Sequence, residues 1–282
     1  MAERVGVTCF FRTMPCDAGG GRGMSVDQVL MAESFVVHGR DEGGPFVLVS
    51  DHAGRAIPPE LGDLGLSAQE RARHIGWDIG IDGVGRKLAD LLPAVLIEQV
   101  YSRLVIDCNR APGHPTSIVQ VSDGTTVPRN QNISAQDRAW REQTILHPYH
   151  ARIRQELDAH VAAGRQTVVV ALHSFTPFMH GKQRPWHAGL LHNHDSRLAR
   201  IMIALLQKDG LVVGDNEPYA LTDTSDYTIP QHGEQRELPH IEIEIRQDLI
   251  ADDAGQAEWA NRLARVLPLA WRQFCEQYGE SA

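Results

Sequence analysis

The sequence predicts an α/β fold, with a mixed and mostly parallel sheet flanked by helices, on three observations. Short aliphatic runs alternate with segments of helical periodicity along most of the 282 residues. Two of those runs, PFVLVSDH and QTVVVALH, stop abruptly at a histidine, His52 and His173, and a third, LPHIEIEIR, carries Glu242 and Glu244. Runs of four to six β-branched or aliphatic residues bounded by polar ones read as strands buried on both faces. Ligands in open α/β sheets gather just past the carboxyl ends of such strands. Two histidines and an acid delivered there point to a metal hydrolase.

The elements follow in order. Residues 1–23 end in the Gly-rich run AGGGRG ahead of Met24, and are expected to form a flexible tail before a single domain over 24–282. A strand at 45–50 leads into the Pro-containing loop AIPPELGDLGLS, after which Ser67 and Glu70 have capping-box spacing for a short helix. Ile81, Val84, Leu88, Leu91 and Leu92 predict a helix over 78–92, followed by strands at 95–100 and 103–107. A long helix is expected over 135–163, where Ile145, Tyr149, Ile153, Leu157 and Val161 recur every four residues until Gly164 stops it. A strand at 167–172, a helix at 195–208, strands at 211–213 and 240–246 and a helix at 255–277 complete the alternation.

Composition narrows the function. The chain is 42% hydrophobic, enough for a sizeable core, and its net charge of −9 argues against nucleic acid or an anionic membrane as partner. No apolar stretch approaches the ~18 residues of a membrane helix, and no signal-peptide core is apparent, so cytoplasmic residence is expected. Cys9, Cys16, Cys108 and Cys275 lack CxxC spacing and read as reduced thiols.

Catalytic zinc takes three protein ligands and leaves a position for water. His52 and His173 are the first two candidates. Asp78, in HIGWDIG, is the candidate third ligand; a helix N-cap is its alternative, and Asp51 and Asp82 are the competing acids. His192 and His194 in LLHNHDS mimic a ligand pair but read as a polar turn. Hydrolysis also needs a base near the attacking water, and Glu242 and Glu244, two apart on one strand, share a face. Either could serve, unless both lie on a half-exposed strand. In YSRLVIDCNRAPG, Arg103 could stabilise an oxyanion, and Asn109 with Arg110 could fork a substrate carboxylate, the alternative being an Asp107–Arg110 salt bridge. Ser174 beside His173 lacks a GxSxG elbow, and no Walker or dinucleotide loop is present.

The ordered motifs SDHAGRAIP (50–58), HIGWDIG (74–80), YSRLVIDCNR (101–110), HPYH (147–150), LHSFTP (172–177), GDNEPYAL (214–221) and IEIRQDLI (243–250) resemble the N-formylglutamate amidohydrolase family over roughly residues 40–270. The resemblance implies a fold like the zinc carboxypeptidases and succinylglutamate desuccinylases. It also implies hydrolysis of the N-formyl amide of an acidic amino acid, a small-molecule substrate, with about one zinc or other divalent ion per chain. In some bacteria that activity ends a histidine-degradation route. On this resemblance His52 and His173 fall on the metal histidines and Glu244 on the general base. Arg103, Asn109 and Arg110 take oxyanion and carboxylate roles, and Asn216 and Tyr219 fall among pocket residues. The carboxypeptidase pattern has Glu three residues after its first His, where this chain has Arg55, so the acid ligand must come from elsewhere, and Asp78 is the residue proposed. The other readings carried forward are a zinc amidohydrolase for another N-acyl amino acid or short peptide, and a non-catalytic amino-acid-binding protein.

Overall fold

The structure, a computed structural model, describes residues 34–40 and 42–279. The expected tail, Cys9 and Cys16 lie outside the described residues. The strands are β1 (Phe35–Gly39), β2 (Phe46–Ser50), β3 (Val95–Gln99), β4 (Val121–Ser122), β5 (Thr125–Thr126), β6 (Val168–Phe175), β7 (Phe178–Met179), β8 (Lys182–Gln183), β9 (Ala188–Leu191), β10 (Val213–Asp215) and β11 (His240–Arg246). The helices are α1 (Ala68–Arg71), α2 (Ile81–Leu91), α3 (Ala135–Arg141), α4 (His147–Ala162), α5 (Arg197–Lys208), α6 (Thr228–His232) and α7 (Asp253–Tyr278).

Seven strands form one sheet in the order β1-β3-β2-β6-β11-β9-β10, with β4–β5 and β7–β8 as separate hairpins. The central ladders β3–β2, β2–β6 and β6–β11 are parallel, as is β9–β10; β1–β3 and β11–β9 are antiparallel. The expected mixed, mostly parallel sheet is what forms. Side chains alternate faces along each strand. Leu48, Leu96, Val170, Leu172, Ile241 and Ile243 bury one face beneath α2, α5 and α7. Val47, Val49, Ile97, Val169 and Ala171 bury the other with Tyr149, Ile153 and Leu157 of α4. Full burial of an aliphatic side chain contributes about 1.5–3 kcal/mol each, so these two layers fix the sheet's register.

Four expectations are corrected. The apolar run 103–107 is not a strand: Leu104, Val105 and Ile106 are buried in an irregular loop against the second face, closed by bonds such as Asp107 N–H to the Ser117 carbonyl at 2.7 Å. A short apolar run satisfies a buried loop as well as a strand. The helix expected over 135–163 is split by a π-helical turn at Glu142–Leu146. Pro148, in the first turn of α4, has no N–H for the preceding turn, and a widened turn accommodates it. The strand expected at 211–213 is β10, two residues later, and β1 and β9 were not anticipated. The capping box at Ser67 and Glu70 forms as expected. No helix among the described residues is long and apolar enough to cross a membrane.

The turn before α2 positions a candidate ligand. Gly80 is the N-cap at φ +83°, and a Cβ there would lie 2.0 Å from the Ile250 carbonyl oxygen. Only glycine fits both constraints. Gly80→Ala is expected to destabilise the protein by about 2 kcal/mol or more, measured by urea unfolding; an unchanged midpoint would show that the turn relaxes freely.

Candidate metal centre and cleft

Three side chains reach one point from three separate segments. His52 lies two residues past β2, Asp78 in the turn before α2, and His173 near the end of β6. All three are nearly fully buried. His52 Nδ1 and His173 Nδ1 are 3.1 Å apart, His173 Nδ1 and Asp78 Oδ2 3.0 Å, and His52 Nδ1 and Asp78 Oδ2 3.7 Å. Bonds of about 2.1 Å to a tetrahedral zinc would put ligand atoms ~3.4 Å apart, so the spacing suits one ion. Two imidazole nitrogens cannot turn lone pairs on each other at 3.1 Å without a proton or a cation between them. The donor set fits a metal.

Asp78 is no helix cap: Gly80 holds that position with no side-chain bond. Its backbone N–H donates to the His52 carbonyl at 2.9 Å, and its Oδ2 accepts the Ser174 N–H at 3.1 Å. Burial alone would raise its carboxyl, but the His52 and His173 imidazoles outweigh burial and hold it below the usual range. Burial and the Arg103 charge pull His52 down; Asp107 and Asp78 overcome them, leaving the imidazole above its ordinary value. Asp82, the competing acid, lies in the first turn of α2 near Arg86.

The alternative to an anion site at Asn109 and Arg110 is an Asp107–Arg110 salt bridge; Asp107 instead backs a candidate ligand, accepting from His52 Nε2 at 2.6 Å and from an Arg103 guanidinium nitrogen at 2.7 Å. Arg103 also approaches Asp78 Oδ1 at 3.5 Å, so one guanidinium links two acids around the histidines. A histidine backed this way keeps its proton on the outer nitrogen and its lone pair inward. Nothing in the spacing of VIDCNR announced this, because the contact crosses from the 101–110 loop to the turn after β2.

Register brings the two glutamates to the same face. Glu244 pairs with His173 and Glu242 with Ala171 across the β6–β11 ladder. Both are buried, and neither Oε2 has a hydrogen-bond partner among the described residues. Burial raises Glu244 to about 7, a rise its imidazole neighbours only partly counter. Burial, with Asp226 and Glu244 close by, pushes Glu242 well above the usual range.

These groups line a cleft of about 380 Å³ with Arg103, Asn109, Arg110, Tyr219 and Asp226. Asn109 spends its amide on the opposite wall: Oδ1 accepts the N–H groups of Tyr227 and Thr228 at 2.9 and 3.0 Å, and Nδ2 donates to Asp226 at 2.9 Å. An Arg110 nitrogen donates to the Asn109 carbonyl at 2.9 Å and lies 3.7 Å from Asp226. Tyr219 stands at the mouth, accepting from Arg184 at 2.9 Å. Asn216 is not in the lining; its Oδ1 accepts the His192 N–H at 2.9 Å, in a turn where its own φ is +53°. His192 and His194 pair with Asp215 and Asp223 away from the cleft, as a polar turn would.

Comparison with known proteins finds a matching family model and similar structures. The sequence model of the N-formylglutamate amidohydrolase family matches residues 44–251. A gene product of Agrobacterium tumefaciens of known structure is 37% identical, with 86% of this chain and 96% of that one covered and a TM-score of 0.83. The N-formylglutamate amidohydrolase of Ralstonia eutropha JMP134 is 20% identical, with 86% and 98% covered and a TM-score of 0.63, a likeness of fold. No curated protein matches the chain significantly.

The raised Glu244 carboxyl has a consequence for the metal-free protein. A group whose folded pKa lies above its unfolded one binds its proton more tightly when folded. The stability it contributes is complete below about 4.5 and lost as pH rises through about 7. Urea unfolding of the metal-free protein across that window is expected to show a fall in stability that is shallower in Glu244→Gln. Glu98, also raised to about 7 by burial against the opposing Arg86 charge, is common to both proteins. Parallel profiles for the two would remove the buried-acid description of Glu244.

Proposed function

The chain belongs to the N-formylglutamate amidohydrolase family, and from that premise we propose that it hydrolyses N-formyl-L-glutamate to formate and L-glutamate with one zinc ion at His52, Asp78 and His173. Membership makes it a hydrolase of amide bonds. The observation that carries the finer reading is the convergence of three ligand atoms within 3.0–3.7 Å, with Glu244 one ladder rung from His173.

Zinc held by this donor set supplies Lewis acidity, polarising the scissile carbonyl and making water a nucleophile at neutral pH. Glu244 takes the proton of the attacking water as the new C–O bond forms on the formyl carbon. It returns that proton to the nitrogen as the C–N bond breaks, so formate and the free amine leave. Burial raises that carboxyl in the metal-free protein, and a cation at the triad would bring it back down toward the ionised form a base needs. Arg103 faces the oxygen on which negative charge builds. Arg110 takes the substrate α-carboxylate, with Asn109 beside it holding the facing loop. Tyr219 closes the mouth, and Asn216 supports the turn that presents it.

A second observation favours a wider substrate range. His74, Arg103, Arg110 and Tyr219 also line a neighbouring space of about 280 Å³, together with Thr116, Val119 and Met179. Larger N-acyl amino acids or short peptides have room there.

Formate release from N-formyl-L-glutamate is expected, abolished by a chelator and restored by zinc. A panel of N-acetyl and N-succinyl amino acids measures the range; turnover confined to those would replace the formyl reading, and ligand binding without any turnover would support a binding protein. Glu244→Gln is expected to keep zinc and lose activity by about 10²–10⁴-fold; full turnover in that variant would remove Glu244 from the role.

A further inference from the structure

Two buried polar atoms behind the candidate metal centre lie close together without a hydrogen bond between them. His173 Nε2 and Asp51 Oδ2 are both without a hydrogen-bond partner among the described residues, and they lie 3.4 Å apart. Asp51 is buried to about 1% exposure, and its other oxygen, Oδ1, accepts the Thr228 hydroxyl at 2.8 Å. Thr228 is fully buried, opens α6, and is anchored through its N–H to Asn109 at 3.0 Å.

We propose that Asp51, held by Thr228, is a positioning residue that fixes the His173 imidazole and sets how tightly the His52–Asp78–His173 triad holds a divalent cation. The proposal rests on the metal reading of that triad.

The chemistry follows from which nitrogen faces where. His173 turns Nδ1 toward His52 and Asp78, so a metal at the triad needs the lone pair on Nδ1 and the proton on Nε2. Asp51 Oδ2 is the acceptor that Nε2–H faces. The opposite tautomer would set a nitrogen lone pair against a buried carboxylate. His52 has the matching arrangement with Asp107 at 2.6 Å. Adjacent residues thus serve different histidines: His52 supplies a ligand, and Asp51 turns the other way to back the second. The gap to Asp51 is several tenths of an ångström longer than a good hydrogen bond. The Thr228 hydroxyl keeps the carboxylate from turning away.

Loss of such a backing carboxylate typically weakens metal binding 10–100-fold. Zinc affinity, measured by competition with a chromogenic chelator, is expected to fall by that factor in Asp51→Asn and by a smaller one in Thr228→Val. Thr228→Ser, which keeps the hydroxyl, is expected to bind as the parent does. Imidazole ¹⁵N–¹H correlations of the metal-free protein, recorded at a pH where His173 is neutral, supply a readout independent of metal: His173 carries Nε2–H in the parent and loses that preference in Asp51→Asn. If Asp51→Asn fails to fold, Thr228→Val decides. Parent-like zinc affinity in Asp51→Asn and Thr228→Val, with Nε2–H retained, would overturn the proposal. A parent protein that binds no zinc would sink the metal reading, while the tautomer signal would still decide whether Asp51 positions His173.

Discussion

Everything in this cleft is organised around three lone pairs forced together in a buried place. His52 Nδ1, His173 Nδ1 and Asp78 Oδ2 sit 3.0–3.7 Å from one another, in a setting where burial penalises charge and water cannot spread it. Such a cluster persists only if each member is held from outside and a positive centre joins them within. The outside holds are Ser174 N–H on Asp78, Asp107 on His52, and Arg103 bridging Asp107 and Asp78. The sheet supplies the rest, because hydrophobic burial on both faces fixes the register that puts His173 and Glu244 side by side.

What the sequence could tell about this site divides along the distance over which each signal acts. His52 and His173 were legible because an aliphatic strand ending in a polar residue is a local pattern, and the β11 glutamates because a two-residue spacing fixes a shared face. The Ser67–Glu70 cap is a local pattern too. Asp107 and Asp51 were missed in their present relations because each backs a histidine in a way that no spacing encodes. Asp51 even looked like a rival ligand, since position 51 adjoins position 52 in the chain while pointing the other way in space. Asp78 was legible as an acid in the right place, but choosing it over a helix cap needed Gly80, whose left-handed φ of +83° starts the helix without a side-chain cap. The fold was legible for long periodic segments and failed where apolar character did not mean strand. Leu104, Val105 and Ile106 satisfy the same core from a loop, and β9, only four residues with a glycine among them, was too short to stand out.

Net charge gives a global picture that the cleft contradicts locally. A chain of charge −9 would repel a doubly negative substrate at long range. Within the cleft, Arg103 is committed to Asp107 and Asp78, whereas Arg110 approaches its nearest carboxylate, Asp226, only to 3.7 Å. Arg103 is therefore fixed against the acids around the candidate ligands, and Arg110 keeps more capacity to engage an anion. Screening at physiological ionic strength shortens the reach of the overall charge to about 8 Å, so a cation inside the cleft governs binding more than the surface does.

The paired glutamates show how one strand can carry two different acids. Glu242 and Glu244 differ by two residues and share a face, yet their surroundings separate them. Glu242 lies one step further from the end of the sheet, beside Ala171 and Leu191, with Asp226 and Glu244 both opposing its ionisation. Glu244 lies beside His173, with the His52 and Arg103 charges also favouring its ionised form. Two like charges two rungs apart on one face of a buried strand would oppose one another, so the pair lowers its energy by keeping the inner acid neutral and leaving the outer one to titrate. A cation at the triad acts in the same direction on Glu244, the nearer of the two by register, and widens the gap between them. The difference in ionisation between the two acids therefore follows from their surroundings along the strand, and not from any difference between the two side chains themselves.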